Sequence, residues 1–179
     1  FASLNPRLTV DRLIAQGPIV HGVSAQQAVA RARELLALVG LDPRAADRYP
    51  HEFSGGQRQR IGVARALALE PEMLVADEPV SALDVSVQAQ VLKLLAEIRD
   101  RFHLTMLFIT HDLRVAAQVC DSVAVMQAGE IVEVGPTERI FLEPRHPYTR
   151  ELLDAVPGKA WQIPDLAAAQ EPLADRRRS

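Results

Sequence analysis

The sequence predicts an α/β fold: a mostly parallel sheet flanked by helices, joined to a helical subdomain. Three observations carry that expectation. From Ser54 to Met126, helical apolar spacing alternates with short apolar runs, which is the pattern of successive βα units. One of those runs, Met73-Leu74-Val75-Ala76, ends in two adjacent carboxylates, Asp77 and Glu78. A buried strand that delivers acids to a metal–phosphate site looks like this. Ahead of it, Ser54-Gly55-Gly56-Gln57 opens a helix, because Ile61, Ala64 and Ala68 then recur at helical spacing. A serine and two glycines at a helix N-terminus leave backbone N–H groups beside a hydroxyl, an arrangement suited to a phosphate.

Residues 8–50 are rich in Ala, Leu, Arg and Glu, with Pro18, Pro43 and Pro50 as punctuation. Val29, Ala32, Leu35, Leu36 and Val39 form a helical apolar stripe that stops at Gly40. The helix opened by Ser54 is expected to end near Glu70-Pro71, before a strand over Met73–Ala76. Val87, Val91, Leu94, Leu95 and Ile98 mark a further helix, and Thr105–Thr110 reads as a second buried strand. A helix over Leu113–Val119 and a third strand over Ser122–Met126 follow. Ala128-Gly129-Glu130 then punctuates a hairpin with Ile131–Val134. Pro136-Thr137-Glu138 starts a short helix, and Pro147 opens another that carries Leu152, Leu153 and Val156. Residues 158–179 read as a tail.

Composition narrows the function classes. A hydrophobic content of 48% and a charged content of 24% are those of an ordinary globular chain. The net charge of -3 gives no general attraction to nucleic acid or to anionic lipid. A single cysteine, Cys120, excludes an internal disulfide and reads as a buried small hydrophobe. No run approaches the ~20 apolar residues that span a bilayer, so a membrane role would come through a partner. His21, His51, His103 and His146 read as surface or capping residues, and no Cys/His grouping has metal-ligand spacing.

Taken together, Phe53-Ser54-Gly55-Gly56-Gln57-Arg58-Gln59-Arg60 and Met73–Pro79, in this order and at this separation, resemble an ATP-binding cassette (ABC) ATPase. Phe53 stands where that family usually has Leu. Ser81-Ala82-Leu83-Asp84 resembles the family's D-loop, and His111 falls where the family has its switch histidine. Phe1-Ala2-Ser3-Leu4-Asn5-Pro6-Arg7 resembles the segment after the Q-loop glutamine of peptide-type ABC ATPases. Phe141–Arg150, with its His-Pro-Tyr-Thr, resembles the region after the cassette in ATPases of peptide and nickel importers. No G-x-x-x-x-G-K-[ST] loop occurs. The resemblance thus implies the C-terminal portion of a P-loop NTPase-like ABC cassette whose N-terminal part is missing. Its expected divisions are 1–52 (post-Q-loop segment and helical subdomain), 53–135 (signature helix, Walker B, D-loop and switch histidine), 136–157 (importer-type extension) and the tail.

The resemblance also implies roles. ATP and Mg²⁺ are the cofactors; Asp77 holds Mg²⁺ through water, Glu78 is the catalytic base and His111 contacts the γ-phosphate. Ser54, Gly55, Gly56, Gln57 and Asp84 serve ATP across the interface with a second ABC ATPase subunit, in a homo- or heterodimer. Arg58, Arg60 and Arg65 are expected to be solvated helix residues rather than phosphate ligands. The implied partners are two integral membrane permease subunits and, indirectly, an extracytoplasmic solute-binding protein, with no nucleic acid. The implied activity is ATP hydrolysis driving uptake of di- or oligopeptides at the cytoplasmic face of the inner or plasma membrane. The 179 residues alone are expected to be inactive, and no iron–sulfur cluster is expected because 158–179 lack cysteine. Two alternatives stay open: a soluble ABC ATPase of DNA repair or translation, and a non-catalytic cassette.

Overall fold

The computed structural model describes residues 4–156; Phe1, Ala2, Ser3 and the expected tail lie outside the described residues. The chain divides into two compact units, Phe1–Ile109 and Thr110–Ser179.

The first unit begins with three helices that pack on one another: α1 (Val10–Val20), α2 (Ala25–Leu38) and α3 (Gly55–Leu67). Their inward faces bury Val10, Leu13, Ile14, Leu35, Leu36 and Ile61 completely or almost so, each worth roughly 1.5–3 kcal/mol of apolar burial. Ser24 caps α2 by accepting from the Gln27 N–H. Gly40 ends it with φ +73, so the Leu41 N–H reaches the Leu36 carbonyl at 2.9 Å and the Gly40 N–H the Ala37 carbonyl at 3.0 Å, a Schellman stop. Pro18 does not punctuate as expected. It sits buried in the last turn of α1, which runs on to Val20, and its carbonyl accepts from the His21 and Val23 N–H groups. Pro43 and Pro50 open 3₁₀ turns, Pro43–Asp47 and Pro50–Glu52.

Strand β1 (Met73–Asp77), helix α4 (Val85–Phe102) and strand β2 (Thr105–Ile109) complete this unit. β1 and β2 pair in parallel, with Met73 opposite Thr105 and Asp77 opposite Ile109. Leu74 and Ala76 are buried, whereas Met73, Val75, Leu107 and Ile109 share an exposed face. β2 is therefore not the buried strand its composition suggests, because only one face of this pair is covered among the described residues. α4 ends at His103, whose φ of 52 is the left-handed stop.

The second unit contains α5 (Leu113–Val119), a hairpin of β3 (Ser122–Gln127) and β4 (Glu130–Pro136), α6 (Thr137–Leu142) and α7 (Pro147–Asp154). Ala128 and Gly129 both take positive φ, the backbone of the two-residue turn that matches strand twist. β3 does not join the β1–β2 pair; it pairs antiparallel with β4. Ala116, Ala117, Val125, Ile140, Phe141 and Leu153 make this unit's core.

Glu133 on β4 is buried. It accepts from Arg139 Nη1 on α6 and from the Arg145 and His146 N–H groups ahead of α7, each at 3.0 Å. Burial alone would raise its pKa, but these donors outweigh it and hold the carboxyl at about 2. A carboxylate depressed in the fold contributes stability above its ordinary value of 4.5 and loses it as pH falls through about 2. Glu133→Gln should therefore cost about 3 kcal/mol at neutral pH. The gap between variant and wild type should close between pH 4.5 and 2, as read by hydrogen exchange of the α6 and α7 amides in the complete protein.

Candidate functional site

Ser54 is the N-cap of α3. Its Oγ accepts from the Gln57 N–H at 3.3 Å, while Gln57 Oε1 accepts from the Ser54 N–H at 2.9 Å. This reciprocal capping box satisfies two of the donors at the helix start. The N–H groups of Gly55 and Gly56 remain without an acceptor inside the helix, at its positive dipole end. The Ser-Gly-Gly-Gln stretch thus presents backbone donors, with the Ser54 and Gln57 side-chain oxygens each accepting from the other residue's backbone N–H. Phe53, the departure from the usual Leu, is buried, and the Arg48 guanidinium lies 5.0 Å from its ring centroid. A side chain on Gly56 has no room, because a Cβ there would lie 2.3 Å from Val87 Cγ1.

Val87 belongs to the first turn of α4, whose N-cap is Asp84. The Asp84 side chain makes no capping bond, and its carbonyl accepts from the Gln88 N–H at 2.8 Å. The Gly56–Val87 contact therefore brings the start of α3 against the start of α4, and with it the Ser54–Gln57 and Asp84 segments.

Asp77 ends β1 exposed, and Glu78 follows half-buried with φ 46. That left-handed backbone costs a non-glycine residue about 1–2 kcal/mol. It is held by the Glu78 N–H donating to the Ile109 carbonyl at 2.9 Å, and by Ser81 Oγ donating to the Glu78 carbonyl at 3.2 Å. Strained backbone at the carboxyl end of parallel strands is where ligands of open α/β sheets are met. Among the described residues no three or more His, Cys, Asp or Glu side chains gather as a metal cluster. Two adjacent carboxylates fit Mg²⁺ nonetheless, since that ion takes one or two protein oxygens and completes its shell with water and phosphate.

His111 is exposed and lies in the second unit, two residues past β2. Asp112 behind it caps α5 by accepting from the Arg114 N–H at 2.9 Å. The other histidines terminate or cap elements: His21 follows α1 with its ring on the Gly17 carbonyl, His103 stops α4, and His146 Nδ1 accepts from the Tyr148 N–H ahead of α7. His51 stacks on Tyr49. Cys120 is the C-cap of α5, and burial, then the neighbouring Asp121 charge, push its thiol pKa up, so it is not a reactive thiolate.

Comparison with known proteins decides the family. The ABC transporter family model matches residues 1–81, and the model for the C-terminal region of oligopeptide/dipeptide transporters matches 132–176. This chain belongs to the ABC ATPase family. A putative peptide import ATP-binding protein of Brucella ovis is 53% identical over 159 residues, covering 88% of this chain and 50% of that protein. The oligopeptide transport ATP-binding protein OppF of Bacillus subtilis is 52% identical over 159 residues, covering 88% of this chain and 52% of its own length. The glutathione import ATP-binding protein GsiA of Pectobacterium atrosepticum is 54% identical over 158 residues, 88% of this chain but 25% of GsiA. The cassette chain thus spans 50% of the length of the first of these relatives. An ATP-binding cassette solved as a dimer in a post-hydrolysis state, with ADP and Pi, aligns at TM-score 0.65 and 30% identity, over 76% of this chain and 61% of that one. The α/β cassette expected from the sequence is the fold found.

Sequence reasoning missed the contacts that hold this site. Arg60 is half-buried rather than solvated, with Nη1 donating to the Val39 carbonyl at 3.2 Å and Nη2 to Gln90 Oε1 at 3.0 Å. Arg58 is half-buried too and donates to the Phe53 carbonyl. The Ser54-x-x-Gln57 spacing is the one signal that could have shown the capping box in advance. Gly56→Ala should separate α3 from α4 and destabilise the complete protein by about 1–3 kcal/mol. Adding Val87→Ala should return at least half of that loss in a denaturant titration; no return would place the strain elsewhere.

Proposed function

We propose that this chain supplies the hydrolytic carboxylates and the trans-acting cap of an ATP-binding subunit of an ABC importer, which drives uptake of di- or oligopeptides or similar small solutes. The observation that carries the reading is the presence in one unit of a capped, glycine-bearing helix N-terminus and of Asp77 and Glu78 at the end of a parallel strand. The relatives' printed names, peptide, oligopeptide and glutathione import ATP-binding proteins, favour an importer over an ATPase of DNA repair or translation.

Asp77 would hold Mg²⁺ through water, an ion that would supply charge neutralisation at the β- and γ-phosphates when bound. Glu78, fixed by its left-handed backbone, takes the proton of the attacking water. His111 hydrogen-bonds the γ-phosphate through its imidazole. The Gly55 and Gly56 N–H groups face a nucleotide held by a second ATPase subunit, with Ser54, Gln57 and Asp84 shaping that contact. The sequence has no G-x-x-x-x-G-K-[ST] stretch, so the part proposed for these residues is hydrolysis and capping, not cradling the phosphates. No described helix is long and apolar enough to cross a membrane, which accords with a peripheral subunit at the cytoplasmic face, carried by two permease subunits and served indirectly by a solute-binding protein.

Glu78→Gln in the complete protein should abolish ATP turnover and leave ATP binding within twofold, because removing a base costs the chemical step and not ground-state contacts. Normal phosphate release by that variant would sink the assignment. Ser54→Arg should leave ATP binding by the single subunit unchanged and block ATP-dependent dimerisation, measured by size-exclusion chromatography with light scattering.

A further inference from the structure

Arg60 sits one helical turn beyond Gly56 on α3 and faces two other elements at once. Nη1 donates to the Val39 carbonyl, the C-cap of α2, and Nη2 donates to Gln90 Oε1, one turn beyond Val87 on α4. Gly40 adjoins this contact: a Cβ there would lie 2.9 Å from Arg60 Nη1, so the guanidinium would have to shift. Gly40 already needs its positive φ to stop α2, so two constraints coincide on one glycine. Along the α3–α4 seam, then, an apolar contact without room for a methyl group (Gly56–Val87) is followed by a charged one (Arg60–Gln90). Each fixes a different degree of freedom. The first sets how closely the helices approach. The second sets their sliding register, since a planar fork with fixed donors tolerates little displacement of its acceptors.

We propose that Arg60 is a positioning residue for the ATP-driven association of two cassettes: it locks the Ser54–Gln57 segment to the Asp84 segment, so both are offered to the partner's nucleotide as one rigid surface. This rests on the trans-capping role proposed above and names the residue that makes it precise. Without the clamp, the two segments must be brought into register when the dimer forms, and that ordering is subtracted from dimer affinity. Arg60 touches no nucleotide in this scheme and acts through the helices it joins.

The bond to Gln90 is solvent-accessible, so its loss should cost the fold at most about 1 kcal/mol. That separates positioning from stability. In the complete protein, ATP affinity of the single subunit, dimerisation with a non-hydrolysable ATP analogue and thermal unfolding should be measured for Gln90→Ala, Arg60→Ala, the double variant and Arg60→Lys. ATP affinity should stay within twofold in all four. Gln90→Ala should weaken dimerisation about tenfold with a melting temperature within about 3 °C of wild type. The double variant should be no worse than Arg60→Ala, because both remove one clamp. Arg60→Lys should fail to restore dimerisation, since an ammonium lacks the planar fork whose two fixed donor directions set the register. Wild-type dimerisation by Gln90→Ala, additive losses in the double variant, or rescue by lysine would each overturn the proposal. A wild-type protein that binds ATP and does not dimerise would instead overturn the trans-capping reading on which it stands.

Discussion

The constraint on which the first unit depends is the close approach of α3 to α4 at Gly56. Once Gly56 has no Cβ, Val87 can sit against the α3 backbone, and the start of each helix lies beside the other. Everything polar nearby then follows from satisfying what that approach exposes. The Ser54–Gln57 box closes the end of α3 with its own side chains, so no group from α4 is needed there. Arg60, a turn further, has both the α2 carbonyl end and the α4 flank within reach. A larger residue at position 56 would push α4 outward and take Gln90 away from Arg60. A larger residue at position 40 would displace the guanidinium from the other side.

The second unit is organised by a charge instead. Glu133 points inward from β4 and collects a guanidinium from α6 and two backbone N–H groups from the segment before α7. A buried carboxylate with fewer donors would neutralise; with these it stays ionised well below the usual range. The same carboxylate thereby ties together two short helices whose apolar side chains, Ile140, Phe141 and Leu153, dock in the unit's core. Gly135 fits this arrangement. A Cβ there would collide with the Arg139 guanidinium, so glycine keeps open the path by which Arg139 reaches across the strand end.

Much of this was legible in the sequence. Leu113–Val119 as a helix, the Ala128-Gly129 turn and the Pro136 and Pro147 helix starts follow from spacing and turn chemistry that act locally. What was not legible depended on partners far along the chain. Glu133 interrupts an apolar strand, and an acid at an alternating position normally faces solvent; nothing local announces donors 6, 12 and 13 residues later. Arg60 on an otherwise mixed helix face reads as solvated until the α2 C-terminus, 21 residues back, is placed beside it. β2 looked buried because its residues are apolar on both faces, as in strands covered on two sides. Ser122–Met126 was legible as a third strand, and the Ala128-Gly129 turn after it announced the antiparallel hairpin that pairs it with β4.

The placement of the catalytic candidates fits their different tasks. Asp77 and Glu78 occupy a strand end where the chain turns through a left-handed residue, and a rigid, strained turn holds a carboxylate in place better than a loop would. The start of α3 is rigid for a different reason. At the start of α3 the donors are backbone N–H groups, which cannot rotate away or titrate, and at Gly56 packing on Val87 leaves no room for a side chain. Ser54 Oγ and Gln57 Oε1 each accept from the other residue's backbone N–H, so the box orders the helix end. Removing that capping box would leave the Ser54 and Gln57 N–H groups without their side-chain acceptors and fray the helix end.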